Sequence, residues 1–215
     1  MDIREALYTT RAMRRVKPDP VPDDVQARII DAAIRAPSGG NTQGWRFVMV
    51  DDKGQIAKIG ELMAESIDML FSTIYKEQAE YAQTSDDPEA KQFKAIMNSV
   101  HWARDNFAEY PLLLFAFDQF DTSGGSIFPA VWNAMLQARA DGVGSSLTSV
   151  LLFKGEEPLD VLGVPKEEGW RMACCVPMGY PLGKWGVAKR NPAHEVAYRN
   201  TWGNPIDPIP EPLWP

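Results

Sequence analysis

Two basic clusters carry the residues best suited to chemistry in this 215-residue chain: Arg11, Arg14 and Arg15 near its start, and Lys189-Arg190 near its end. Guanidinium groups grip phosphate through paired hydrogen bonds. Two clusters far apart in sequence, within a chain of net charge -7, are able to converge on one phosphate; the alternative is ordinary solvated surface. Between them lies Pro37-Ser38-Gly39-Gly40-Asn41-Thr42-Gln43-Gly44. Its glycines allow backbone to approach a ligand closely, and Ser38, Asn41, Thr42 and Gln43 supply hydroxyl and amide groups. That mixture suits a flat ligand with a polar edge and no charge. It is equally the composition of a plain helix-to-strand connection, because Gly, Ser and Asn are turn residues. Read together, a phosphate grip and a loop for a flat heterocycle describe a flavin mononucleotide (FMN) site.

Little else in the chain supports catalysis by side chains. His101 and His194 are the only histidines, and neither has a second ligand at metal-binding spacing. Gly179-Tyr180-Pro181-Leu182-Gly183-Lys184-Trp185 is one residue short of a P-loop and lacks its hydroxyl. Gly142-Val143-Gly144 follows a helical pattern and has Leu147 where a dinucleotide fingerprint needs glycine. There is no G-x-S-x-G elbow. A bound cofactor is therefore the expected carrier of the chemistry. The acidic balance argues against a nucleic-acid partner, and no run of about 18 apolar residues predicts a membrane span. The charged start MDIREALYTT lacks the apolar core of a signal peptide. Cys174 and Cys175 are adjacent and face opposite sides of a strand, so two free buried thiols and a reducing cytoplasm are expected.

The elements that must position these groups read as one domain over 1–215. A short helix is expected over 2–9. The prolines at 18, 20 and 22 force an extended passage, and Asp23-Asp24 open a helix with Val25, Ile29, Ile30 and Ala33 on one face. Trp45–Val50 reads as a strand buried on both faces. A helix is expected from about Gln55 to Tyr81, and another from about Glu89 to Glu109. This 55–109 segment is rich in Met and aromatic residues, which suit either core and dimer packing or an apolar lid over a flat substrate. Pro111–Phe117 reads as a buried strand. Ser126 is placed to cap a helix carrying Ile127, Val131, Ala134, Met135 and Ala138, with Gly142 as its stop. Ser146–Phe153 reads as strand, Leu159–Leu162 as a short helix and Met172–Met178 as a buried strand. From Gly179 the chain shows no period but carries Trp185, Trp202 and Trp214, so it is expected to wrap along a partner subunit. Long helices alternating with short strands argue a layered α/β or α+β domain.

Four pieces, in order, resemble the FMN-dependent nitroreductase family: Arg11-Ala12-Met13-Arg14-Arg15-Val16 with Lys17-Pro18-Asp19-Pro20-Val21-Pro22; Ala36-Pro37-Ser38-Gly39-Gly40-Asn41-Thr42-Gln43-Gly44-Trp45-Arg46-Phe47; Asn133-Ala134-Met135-Leu136 with Asp141-Gly142-Val143-Gly144-Ser145-Ser146; and Gly179-Tyr180-Pro181 with Lys189-Arg190-Asn191-Pro192. Ala12 stands where the family has Ser, and Val16 where it has an aromatic residue. The resemblance implies a three-layer α+β fold, a central mixed and mainly antiparallel sheet flanked by helices. It also implies a homodimer with FMN at the subunit interface, the tail from about 179 to 215 embracing the partner, and 55–109 as the variable segment shaping the substrate pocket. Arg11 and Arg14, with Arg190 and Lys189, would hold the phosphate. Ala12, Met13 and Arg15 belong to the same binding segment. Pro37, Ser38, Gly39, Asn41 and Gln43 would meet the ring and ribityl chain, and the backbone of Leu147, Thr148 and Ser149 would lie near the reactive edge. The implied activity is two-step: NADH or NADPH reduces the flavin and leaves, and a small aromatic acceptor such as a nitroaromatic or quinone takes its place. A non-catalytic flavin store or sensor is the rival reading. Reductive dehalogenation and flavin degradation are further chemistries of the same scaffold.

Overall fold

The computed structural model describes residues 1–209; Trp214 of the expected embracing tail lies outside them. One sheet holds β1 (Trp45–Val50), β2 (Leu112–Asp118), β3 (Gly144–Ser145) and β4 (Arg171–Gly179) in the order β1-β2-β4-β3. Every ladder in it is antiparallel. The mixed character expected of it shrinks to one isolated parallel bridge, Ala12 to Ser145.

The sheet's alternation builds two cores. Successive side chains of a strand point to opposite faces, and every residue of β2 is buried. Leu112, Leu114 and Ala116 join Cys174, Val176 and Met178 beneath α2 (Asp23–Ala33) and α6 (Ile127–Ala140). Leu113, Phe115 and Phe117 join Cys175 and Met172 beneath α3 (Lys53–Ser72) and α7 (Glu157–Leu162). The result is the three-layer α+β fold, an antiparallel sheet flanked by helices. Both cysteines are free and buried. Burial pushes the Cys174 thiol up to about 12 and Cys175 well above its ordinary value.

Helix starts follow local chemistry. Asp2 accepts from the Arg4 amide at the head of α1 (Ile3–Thr9), and Asp52 accepts from Gln55 at the head of α3. Asp87 accepts from Ala90 at the head of α5 (Pro88–Asp105), where Pro88 suits the first turn. Asp87 also accepts from the Tyr81 hydroxyl at the end of α4 (Lys76–Thr84), and these bonds hold its carboxyl down at about 2.

Four of the expected helix and strand spans differ from the structure. The helix over 55–81 breaks at 73–75, where Ser72 and Thr73 turn their hydroxyls back onto the Met69 carbonyl at 3.1 and 2.6 Å and compete with the ladder. The following helix stops at Asp105 rather than Glu109, and Phe107–Glu109 forms a 3₁₀ turn. β1 is not buried on both faces: it is the sheet's edge, with Arg46 exposed and 47–49 only half covered. Ser146–Phe153 is not a strand. Ser146 donates its amide to Pro177 of β4 at 3.1 Å and Thr148 exchanges two 2.9 Å bonds with Cys175, before a 3₁₀ turn over Val150–Lys154.

Ser126 does not cap α6 either. The Asp121 carboxylate does so, accepting from the Ser126 and Ile127 amides at 2.6 and 2.8 Å and from Gly125 at 3.0 Å. Partial burial pushes the Asp121 carboxyl up, but the amides of Ile127, Ser126 and Gly125 and the Ser123 hydroxyl outweigh it, and its pKa is lowered. Stability from this cap is therefore present above the unfolded-state value, about 3.9, and is lost as pH falls through the lowered one. At pH 7, Asp121→Ala is expected to cost about 1 kcal/mol, or about 2–4 °C in melting temperature. Asp121→Asn, itself a good cap, costs less. The difference between variant and native melts shrinks towards pH 3.

Candidate functional site

The basic segment Arg11–Lys17 lies flush on the β3–β4 end of the sheet. The Met13 amide donates to the Ser145 carbonyl at 3.0 Å, and the Lys17 amide to Tyr180 at 2.7 Å. Two glycines permit this seating. A Cβ on Gly144 would stand 2.8 Å from the Met13 Cβ, and one on Gly179 would stand 2.9 Å from the Val16 Cβ, closer than carbon atoms tolerate. The hydroxyl of fully buried Tyr110 donates to the Arg14 carbonyl and pins the segment from below.

The tail then runs antiparallel beside this segment. The Leu182 amide donates to Arg15 at 2.9 Å, the Arg11 guanidinium to Lys184 at 2.9 Å, and the Ala188 amide to Tyr8 at 3.1 Å. Lys189-Arg190 follows directly after the last of these contacts, at the Tyr8 end of the segment. Among the described residues, no carboxylate lies within ion-pair distance of Arg11, Arg14, Arg15, Lys189 or Arg190. Arg139, which sequence reasoning missed, is buried behind this region. It donates to Thr9 Oγ1 at 2.9 Å, pairs with Glu5 at 3.3 Å, and stacks 4.1 Å from the centre of the Trp185 ring. Nothing in its local sequence distinguishes it from a surface arginine at a helix end.

Arg14 opens into a cavity of about 260 Å³. Leu147, Thr148 and Ser149 form one wall, and Met63, Ile67 and Leu70 of α3 with Ile96, Val100 and Ala103 of α5 form the other. Segment 55–109 is thus both core and wall: Met63 and Phe107 are buried, and Phe71, packed against the same core, begins a run of ring contacts with His101 and Tyr75, which in turn meets Phe93. Among the described residues, Arg14 is the cavity's only charged side chain, and no Asp, Glu or His lines it. Burial lowers the Arg14 pKa from its ordinary value, yet an arginine so placed stays cationic. Arg14 also lines a neighbouring hollow of about 250 Å³ with Arg11, Ala12, Met13 and Arg15. The Arg15 guanidinium lies 5.9 Å from the Trp102 ring centre.

The loop of Pro37, Ser38, Gly39, Asn41 and Gln43 is elsewhere. It leads into Trp45, which pairs with Asp118 at the far end of β2, whereas Arg14 is tied to Tyr110 before the near end. Seven strand residues separate these ends, about 20 Å. α6 spans the same gap: Ser126 at its start accepts from the Gly39 amide at 3.2 Å, and Gly144-Ser145 beyond its end carries the basic segment. One chain therefore does not bring the loop to the basic clusters. The loop itself is held in a strained form. Gly40, Asn41 and Gln43 all have left-handed φ, +58°, +54° and +50°. That conformation costs an L-residue about 1–2 kcal/mol, and Gln43 is kept in it by a 3.1 Å bond from its amide to Ser38 Oγ. Backbone strain of this kind gathers at functional sites. Beside the loop lies a cavity of about 450 Å³ bounded by Gly39, Thr42, Trp45, Phe120 and Ser126.

An antiparallel sheet between helical layers, with a basic segment at one end and a strained polar loop at the other, defines a class of fold. The chain belongs to the nitroreductase family, whose family model matches residues 7–180. It is 26% identical to the iodotyrosine deiodinase of Hydra vulgaris over 216 aligned residues, covering 91% of this chain and 71% of that protein. Of the rat deiodinase it spans 61%. A crystal structure of oxidized iodotyrosine deiodinase bound to FMN and 3-iodo-L-tyrosine superposes with a TM-score of 0.70 at 22% identity, covering 93% of this chain and 99% of that one. The FMN-dependent nitroreductase NfnB from Mycobacterium smegmatis, in complex with NADPH, gives 0.67 at 18% identity, with 92% and 97% covered.

Proposed function

We propose that the protein is an FMN-dependent oxidoreductase that works as a homodimer, each flavin held between the basic clusters of one subunit and the 37–43 loop of the other. The observation that carries this reading is the basic segment of Arg11, Arg14 and Arg15, with no acid among the described residues at ion-pair distance, whose Arg14 lines a largely apolar cavity that no described Asp, Glu or His enters. A phosphate supplies the missing negative charge, and a flat ring fits the rest. The two halves of the site stand about 20 Å apart in one chain, so a two-fold axis that pairs each half with its counterpart completes two sites at once. Exposed Phe128 and Trp132 on α6 and Trp202 on the tail, which is 92% exposed, are surfaces suited to such a partner. Two free thiols fit a reducing cytoplasm.

A bound flavin would supply two-electron redox chemistry between NADH or NADPH and an acceptor using the same cavity in turn. The residues of this chain position and polarise. Arg11, Lys189 and Arg190 hold the phosphate. Arg14 places positive charge at the cavity floor, where it stabilises negative charge that develops on reduction. The apolar α3 and α5 wall excludes water, and protons come from solvent because no Asp, Glu or His among the described residues lines the cavity. Nitroaromatics and quinones fit such a cavity. Reductive dehalogenation is the second reading, favoured by the similarity to deiodinases.

Absorbance of the purified protein before and after anaerobic NAD(P)H tests the proposal. Flavin bands that bleach support a reductase, and parallel initial-rate plots support one pocket serving both substrates in turn. Bound flavin that bleaches with dithionite but not with NAD(P)H, and that then releases iodide from an iodophenol, favours dehalogenation. Arg14→Ala is expected to weaken FMN binding at least about tenfold, measured by fluorescence titration. A protein that takes up no FMN refutes the reading.

A further inference from the structure

Arg139 touches neither the cavity nor the basic cradle, yet three elements meet on it. It leaves the last turn of α6, bonds Thr9 Oγ1 at 2.9 Å and Glu5 at 3.3 Å on α1, and stacks 4.1 Å from the ring centre of Trp185 on the tail. Its side chain is only 7% exposed. Burying a cation for a partly exposed carboxylate is a weak source of stability, because desolvation offsets most of the attraction. What the arrangement does provide is geometry.

The tail is tied by backbone bonds at Leu182, Lys184 and Ala188. Between the last two ties, Trp185 is the side chain that reaches inward to a charged group. Lys189-Arg190 begins one residue beyond the final tie, and Arg11 bonds to the carbonyl of Lys184, the residue before Trp185. A tail that slides or lifts at Trp185 therefore displaces Lys189-Arg190 and removes the acceptor that orients Arg11. We infer that Arg139 is a positioning residue: by clamping Trp185 against α1 it sets the distance between the Arg11 and Lys189-Arg190 cations and so tunes the grip on a phosphate monoester. This rests on the flavin reading above and adds to it a residue that acts only on the phosphate end of the ligand.

Riboflavin, which has the same ring and no phosphate, separates positioning from general structure. Arg139→Met is expected to weaken FMN binding about tenfold, the order of a lost buried cation–π contact, while leaving riboflavin binding unchanged. Trp185→Leu removes the tail side of the clamp without disturbing the bonds of Arg139 to α1, and gives the same selective loss if Arg139→Met does not fold. Arg139→Lys retains a cation over Trp185 but not the forked donors, and is expected to fall between native and Met. Equal losses for FMN and riboflavin, or no loss for either, overturn the proposal while leaving the flavin reading intact. A native protein that binds neither compound overturns both.

Discussion

Two variants that each lose their flavin are expected to regain about half of the native content when paired in one dimer. Arg14→Ala removes the cation of the cradle, and the double variant Asn41→Ala/Gln43→Ala removes the polar groups of the loop. Each deletion forfeits hydrogen bonds to a charged or polar ligand, about 1–3 kcal/mol apiece, and as a homodimer each variant carries the defect in both sites. If every site draws its cradle from one subunit and its loop from the other, a dimer of one Arg14→Ala chain and one loop-variant chain holds one doubly damaged site and one undamaged site. Co-expression with two affinity tags and purification through both isolates that species, and its absorbance per dimer reads the flavin content. The separation of the two halves by the length of β2 and of α6 makes the prediction sharp. Recovery of nothing beyond the parents' content means that each chain builds its site alone, and the interface proposal fails.

The second large effect is expected at Gly179. A Cβ there meets Val16 at 2.9 Å and the ring of Pro111 at 3.0 Å. Both neighbours are fixed, Val16 by its bridge to Pro181 and Pro111 by the strand that follows it. Gly179→Ala must therefore push the basic segment off the sheet. Overpacking of this kind costs about 1–3 kcal/mol, and the displaced segment carries Arg14 with it. Melting temperature and FMN affinity should both fall. Gly163→Ala is the control: the backbone there is left-handed, φ +65°, with open space where the Cβ would be. It costs about 1 kcal/mol of strain, far from the cradle, and should leave FMN affinity unchanged. A Gly179→Ala protein that binds FMN as the native chain does would show that close seating on the sheet is not what places Arg14.

Much of this architecture is legible in the sequence because it is local. The buried strands 112–118 and 171–179, the apolar face of α6 and the glycine stops at 142 and 163 each follow from a run or a period. The failures share a different cause. Trp45–Val50 is as apolar as a central strand, and only the order of strands reveals that it has a single neighbour. Ser126 has the right chemistry for a cap, but Asp121, five residues earlier, folds back with a full carboxylate and takes the amides first. Nothing short of the tertiary fold reports that Arg139 meets Trp185, forty-six residues later in the chain. The candidate site residues are legible by type and motif. Their division between the two ends of the sheet became visible only when the strand register was known.

The adjacent thiols of β4 have a consequence of their own. Cys174 faces the α2–α6 core and Cys175 the α3–α7 core, and burial keeps both protonated at neutral pH. Only the thiolate is alkylated, so modification must await an opening that wets the sheet. Because one sulfur looks into each layer, peptide mapping of labelled protein distinguishes the lifting of one helical layer from the lifting of the other. Two sequence neighbours thereby gauge, independently, how often each side of the molecule breathes.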